Sequence, residues 1–148
     1  MKEEKFMQKA LDLAKISYKN GDIPVGCVIV KDGKIIGQGY NQKEEKNDAS
    51  MHAEMLALKD ACKNLSSYHL EDCQMYVSLE PCAMCAGAII NFRLEKVYIA
   101  TENKRFGCCG SKINLLDYGF NHTCQVEFGL LKDQASKLIS DFFAEIRK

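Results

Sequence analysis

A chain of 148 residues, 47% hydrophobic and 27% charged, is long enough for one domain with its own core and too apolar to be disordered. Its 20 basic and 20 acidic residues cancel, which excludes a polybasic, histone-like nucleic-acid binder and still allows a small basic patch. The opening MKEEKFMQKALDLAKISYK is no apolar signal, and no stretch reaches the roughly 20 apolar residues of a membrane span, so the 8 cysteines are expected to be reduced thiols of a soluble, cytoplasmic protein, several of them available to a metal.

In chain order, residues 2–20 carry Phe6, Met7, Ala10, Leu11, Ala14 and Tyr18 at helical spacing, with Gly21 as the stop. Residues 25–30 (VGCVIV) predict a strand, Asp32-Gly33 a hairpin turn, and residues 35–40 the returning strand. Residues 41–50 are polar and read as a loop, with Lys43-Glu44-Glu45-Lys46 as a solvated charge run. Residues 51–64 predict a helix with Ser50 as its N-cap, and residues 74–79 a strand. Pro81 suits the first position of a helix continuing through 82–91. Residues 96–100 predict a fourth strand, 101–110 a loop rich in Gly and Cys, 113–117 a short helix and 124–128 a fifth strand. The last helix is predicted at about 130–147, with apolar residues at 131, 135, 138, 139, 142 and 146. The alternation predicts an α/β fold: a single domain over 1–148, with a central sheet of about five strands and helices on both faces.

Two short stretches carry chemistry. His52-Ala53-Glu54 opens one predicted helix and Pro81-Cys82-Ala83-Met84-Cys85 opens the next. Cys82 and Cys85, three apart, present their thiols on one side of a helix, and His52 can approach from its neighbour. One imidazole and two thiolates suit Zn²⁺, and helix N-termini favour the thiolate form. Three protein ligands leave the fourth tetrahedral position open for water, as a catalytic zinc requires. Glu54, two residues from His52, is placed to move that water's protons. The alternative is a structural four-ligand zinc, its last ligand drawn from Cys27, Cys62, Cys73, Cys108, Cys109, Cys124, His69 or His122, but none of these makes a second CxxC pair with either stretch. A lone CxxC is weak evidence, whereas H-A-E with P-C-x-x-C is the signature of zinc nucleobase deaminases.

With those motifs the chain resembles the bacterial TadA-type tRNA-specific adenosine deaminases of the cytidine deaminase superfamily, nearly end to end. DIPVGCVIV (22–30), GYN (39–41), SLEPCAMCAGAII (78–90), FGCCGSKINLL (106–116) and SDFF (140–143) carry the resemblance. It implies one zinc per subunit held by His52, Cys82 and Cys85, Glu54 as proton shuttle, and Asn41 as a base contact. The implied reaction is conversion of adenosine to inosine at the wobble position of a tRNA anticodon stem-loop. The implied assembly is a homodimer whose active sites are built with the partner's help. Small tetrameric cytidine deaminases usually have Cys where His52 stands, and the deaminase domain of riboflavin synthesis spaces its cysteines further apart. Guanine deaminases share both motifs. The remaining alternatives are therefore a small-molecule purine deaminase and a zinc-containing RNA-binding subunit without activity, against which Glu54 speaks.

Other residues have two readings each. Asn41 follows a strand, where Asn is common as a turn residue. Phe142 and Phe143 fall on adjacent helix faces; one is expected to pack inward and the other could stack on an unpaired base, a role the resemblance gives to Phe143. Lys104, Arg105, Arg147 and Lys148 are solvated charges or phosphate contacts. His69 and His122 read as structural, and Cys27, Cys62, Cys73 and Cys124 as core fillers. Cys108 and Cys109 have no assigned role. At Asn103 the resembled bacterial family generally has an acid, so Asn103, placed among the substrate contacts, is expected to relax discrimination between RNA and DNA unless it only caps a turn.

Overall fold

The computed structural model describes residues 2–146. Strands β1 (Gly26–Lys31), β2 (Lys34–Tyr40), β3 (Cys73–Leu79), β4 (Lys96–Thr101) and β5 (Gln125–Phe128) form one sheet in the order β2-β1-β3-β4-β5. β1 is antiparallel to both β2 and β3, whereas β3, β4 and β5 run parallel. The β1–β2 hairpin turns on Asp32 and Gly33, both at positive φ (51° and 75°), the geometry that favours Asp-Gly.

Helices cover both faces. Cys27, Ile29, Met75, Val77, Val97 and Ile99 point to one side, under α3 (Ala53–Leu65) and α4 (Ala83–Asn91). Val28, Val30, Tyr76 and Ala100, the alternate residues, point to the other, under α1 (Lys2–Lys19) and α5 (Lys132–Ile146). This explains why β1 reads as an unbroken apolar run rather than an alternating one. α3 lies very close to β2: a Cβ on Gly37 would stand 2.5 Å from the Ala57 carbonyl oxygen, and one on Gly39 2.5 Å from that of Ala53. No helix among the described residues is long and apolar enough to cross a membrane.

Five local expectations are corrected. Ser50 does not cap α3; its hydroxyl donates to Asp48 Oδ1 at 2.7 Å, and His52 occupies the N-cap position. Pro81 lies outside α4, which is capped by Cys82. The polar loop contains a one-turn helix, α2 (Lys43–Lys46). α5 begins at Lys132, because Gly129 and Leu131 adopt positive φ (105° and 55°) and break the helical path before it. The 113–117 segment is a 3-10 turn at Leu115–Asp117.

Candidate active site

The catalytic motifs meet where the chain leaves β3 and β4, beside the ends of β2 and the segment before β1. Open α/β sheets place their ligand crevices at such carboxyl ends. His52 and Cys82 are the N-cap residues of α3 and α4, so two helix N-termini converge on one point. His52 Nδ1 lies 3.7 Å from Cys82 Sγ and 3.6 Å from Cys85 Sγ. All three donor atoms fall within 4.8 Å of one another. Around a tetrahedral zinc, with Zn–N of about 2.0 Å and Zn–S of about 2.3 Å, a nitrogen and a sulfur ligand stand about 3.5 Å apart. The donor set therefore fits one zinc ion held by these three residues.

The electrostatics agree with a metal pocket. The two thiols are pushed in opposite directions. Cys82 is held down to about 3, first by the hydrogen bond from Cys85 and then by His52, while Cys85 is pushed up by that same hydrogen bond and by burial. His52 is raised, chiefly by its hydrogen bond with Cys82. Glu54, only 4% exposed, is pushed up to about 7 by burial, against the opposing influence of its own backbone N–H, His52 and Cys85. A carboxyl poised near neutrality suits a group that must both accept and return a proton.

A cavity of about 280 Å³ opens onto these groups, lined by Ile23, Val25, Asn41, Lys43, His52, Glu54, Leu79, Glu80, Cys82, Asn103 and Phe106. Its size, near the lower end of ligand pockets, suits one heterocyclic base. Asn41 is 5% exposed, and its side chain does structural work: Oδ1 accepts the Ala53 N–H at 2.8 Å and Nδ2 donates to the Ile23 carbonyl at 3.0 Å. It thereby satisfies an N–H at the start of α3 that the helix cannot. Asn103 Oδ1 accepts from the N–H groups of Arg105 and Phe106 at 3.3 and 3.1 Å, so the residue caps its turn and lines the cavity as well.

Two charged lining residues escaped the sequence reading. Glu80 is 2% exposed and gathers the loop after β4. Its carboxylate accepts from the N–H groups of Asn103, Cys109 and Ser111, each at 3.0 Å, and from the Ser111 hydroxyl. Gly107 is required beneath it, because a Cβ there would stand 2.3 Å from Glu80 Cδ and 2.5 Å from the Asn103 carbonyl oxygen. The available signal was an acid directly after a buried strand, which must find donors. Lys43 lines the cavity, partly exposed, and its charge disfavours protonation of His52.

The remaining predicted residues lie outside the cavity. Phe142 packs inward at 6% exposure, and the half-buried Phe143 meets it edge-on at 5.5 Å. Lys104 and Arg105 are exposed, and Arg105 lines a shallow groove beside the cavity with Met84, Phe106, Cys108 and Ile113. Arg147 and Lys148 lie outside the described residues. His122 Nε2 is 2.8 Å from the Leu94 carbonyl, whereas His69 is exposed and pairs with Glu71.

Residues 1–101 match the model of the cytidine and deoxycytidylate deaminase zinc-binding region. The tRNA-specific adenosine deaminase of Aquifex aeolicus is 43% identical over 148 residues, covering 99% of this chain and 97% of its own. A structure from a study of A-to-I editing by tRNA:A34 deaminases at the wobble position of transfer RNA superimposes with a TM-score of 0.87 at 31% identity, covering 90% of this chain and 97% of that one. The guanine deaminase of Nitrosomonas europaea superimposes with a TM-score of 0.84 at 25% identity, covering 95% of this chain and 84% of that one. The chain belongs to the zinc-binding cytidine and deoxycytidylate deaminase family, together with its relatives named tRNA-specific adenosine deaminase.

Proposed function

We propose that this chain hydrolyses the 6-amino group of the wobble adenosine in a tRNA anticodon stem-loop, releasing ammonia and leaving inosine. The observation that carries the reading is the three-donor zinc set of His52, Cys82 and Cys85 with buried Glu54 beside it in a base-sized cavity, in a chain whose full-length relatives bear that activity's name. When bound, zinc supplies a water whose proton is lost near neutral pH. The chain's own groups do the rest. Glu54 takes that proton and delivers it to the ring nitrogen next to C6, then takes the remaining proton of the new C6 hydroxyl and passes it to the departing amine; a C6–O bond replaces the C6–N bond. The apolar walls of Ile23, Val25 and Leu79 sandwich a base and exclude bulk water, and the Asn41 amide offers a hydrogen-bond donor to its edge.

The anticodon loop supplies the base unpaired, so the cost of extracting it from a stack is small. Exposed Lys104 and Arg105, with Arg147 and Lys148 at the chain end, are assigned to phosphate contacts and Phe143 to stacking. A second copy of the chain is assigned to the groove beside the cavity. In support, Met84, Phe106 and Ile113 around it are 39%, 61% and 49% exposed, an apolar surface unlike a solvated rim. A homodimer acting on tRNA would work in the cytoplasm.

The guanine deaminase likeness favours a second reading, a free purine as substrate. One experiment separates them: zinc-loaded protein is incubated with total tRNA, free guanine and adenosine, followed by nucleoside analysis. Inosine at anticodon position 34 supports the proposal; xanthine from guanine with unaltered tRNA overturns it.

A further inference from the structure

The charge run at residues 43–46 is not uniformly solvated. Glu45 turns towards α1, where its carboxylate is 3.5 Å from Asn20 Nδ2 and 3.7 Å from Lys46 Nζ, and neither Glu44, Glu45 nor Lys46 lines the cavity. Lys43 does line it, half-buried, and among the described residues its ammonium has no hydrogen bond or ion pair. Its backbone is held firmly. Asp22, only 2% exposed, accepts the Glu44 N–H at 2.8 Å with one carboxylate oxygen and the Ile23 N–H at 3.1 Å with the other. The Asp48 N–H closes onto the Lys43 carbonyl at 3.0 Å, and the Gln42 N–H onto that of Met51 at 2.9 Å. A partly buried cation without a partner, on a turn fixed by a buried carboxylate, is pre-organised for an anion at the cavity mouth. The base inside the cavity is neutral. The anion that necessarily accompanies it, when it belongs to a polynucleotide, is the phosphate joining it to its neighbour.

We infer that Lys43 is a specificity-determining contact whose ammonium binds a backbone phosphate flanking the nucleotide whose base enters the cavity, so that it favours a base within an RNA chain over a free purine. This rests on the RNA reading given above. The test uses zinc-loaded protein carrying Glu54→Ala, which binds without turnover, with and without Lys43→Gln. The probe is a labelled anticodon stem-loop with the target adenosine, made also with a neutral methylphosphonate in place of the phosphate on its 5′ or its 3′ side. Lys43→Gln is expected to weaken binding about tenfold and to lower the slope of log affinity against log salt by about 0.7. One of the two neutral linkages is expected to cost the Lys43 protein about tenfold and the Lys43→Gln protein less than about twofold. Equal costs in the two proteins at both positions, or an unchanged affinity on Lys43→Gln, overturn the inference. The RNA reading fails separately, if the protein with Glu54 and Lys43 intact forms no inosine in the unmodified stem-loop.

Discussion

The Glu80 carboxylate accepts the backbone N–H of Asn103 at 3.0 Å, joining the end of β3 to the loop that closes the cavity. The same side chain takes two further N–H groups and a hydroxyl, so a single buried acid orders residues 103–111. In Glu80→Gln one carboxylate oxygen becomes an NH₂ that faces donors. The expected loss is about 2–3 kcal/mol, the scale of breaking charge-assisted hydrogen bonds in a buried site. At this chain length that corresponds to a melting temperature lower by about 6–10 °C. Calorimetry checks it, and a shift under 2 °C would show that the loop orders itself without Glu80.

Cys82→Ala is expected to lower zinc from about one ion per chain to under a tenth, as measured by metal analysis of the purified protein. Two donors from different helices do not hold the ion as three do. In the unsubstituted chain, metal affinity should rise with pH. Cys85 is pushed up and must lose its proton to ligate, and the raised His52 must be neutral, so binding releases protons and acid opposes it. Full occupancy in Cys82→Ala would move the site elsewhere.

Glu54→Ala should keep zinc and fold and lose at least ~10²–10⁴-fold in turnover, because the proposed role of the carboxyl is to carry protons to both the ring nitrogen and the leaving amine. Single-turnover inosine formation on a stem-loop measures it. Retention of more than a tenth of the rate would assign proton transfer to another group.

Asn103→Asp keeps the oxygen that accepts from Arg105 and Phe106, so its melting temperature should stay within about 1 °C, whereas Asn103→Ala should lose about 1 kcal/mol. If position 103 also meets the sugar, Asp should change the ratio of rates on an RNA hairpin and on the same hairpin with a DNA loop by more than twofold. A smaller change, below ~0.4 kcal/mol in activation free energy, leaves Asn103 as a turn residue alone.

Much of the architecture was legible because it is written in local periodicity. Met7, Ala10, Leu11 and Ala14 marked α1, the β-branched run marked β1, and Asp32-Gly33 marked the hairpin. That His52, Cys82 and Cys85 come together was legible because metal chemistry restricts residue type and spacing together, and Glu54 lines the same cavity. Helix starts were less so: Ser50 and Pro81 have favourable intrinsic preferences, yet His52 and Cys82 hold the cap positions, and the Asn41 side chain, 12 residues away in sequence, supplies the acceptor for Ala53. Glu80 and Lys43 were missed for the same reason. Their places in the cavity wall depend on contacts between segments distant in sequence, and a lone acid or a charge run carries no period that reveals them.

The two glycines of β2 have a consequence for how this protein can change. β2 is an edge strand, where substitutions and small insertions are ordinarily absorbed. Here Gly37 and Gly39 face α3 at a distance that admits no side chain, and His52 and Glu54 ride at the start of that helix. Slipping β2 by one residue against β1 would present Gln38 and Tyr40 to the helix instead and lift it away from α4. The depth at which the imidazole meets the two sulfurs is thus calibrated on the far side of α3. Variation at this outer margin should be as tightly filtered as variation at the metal ligands, although nothing there touches substrate.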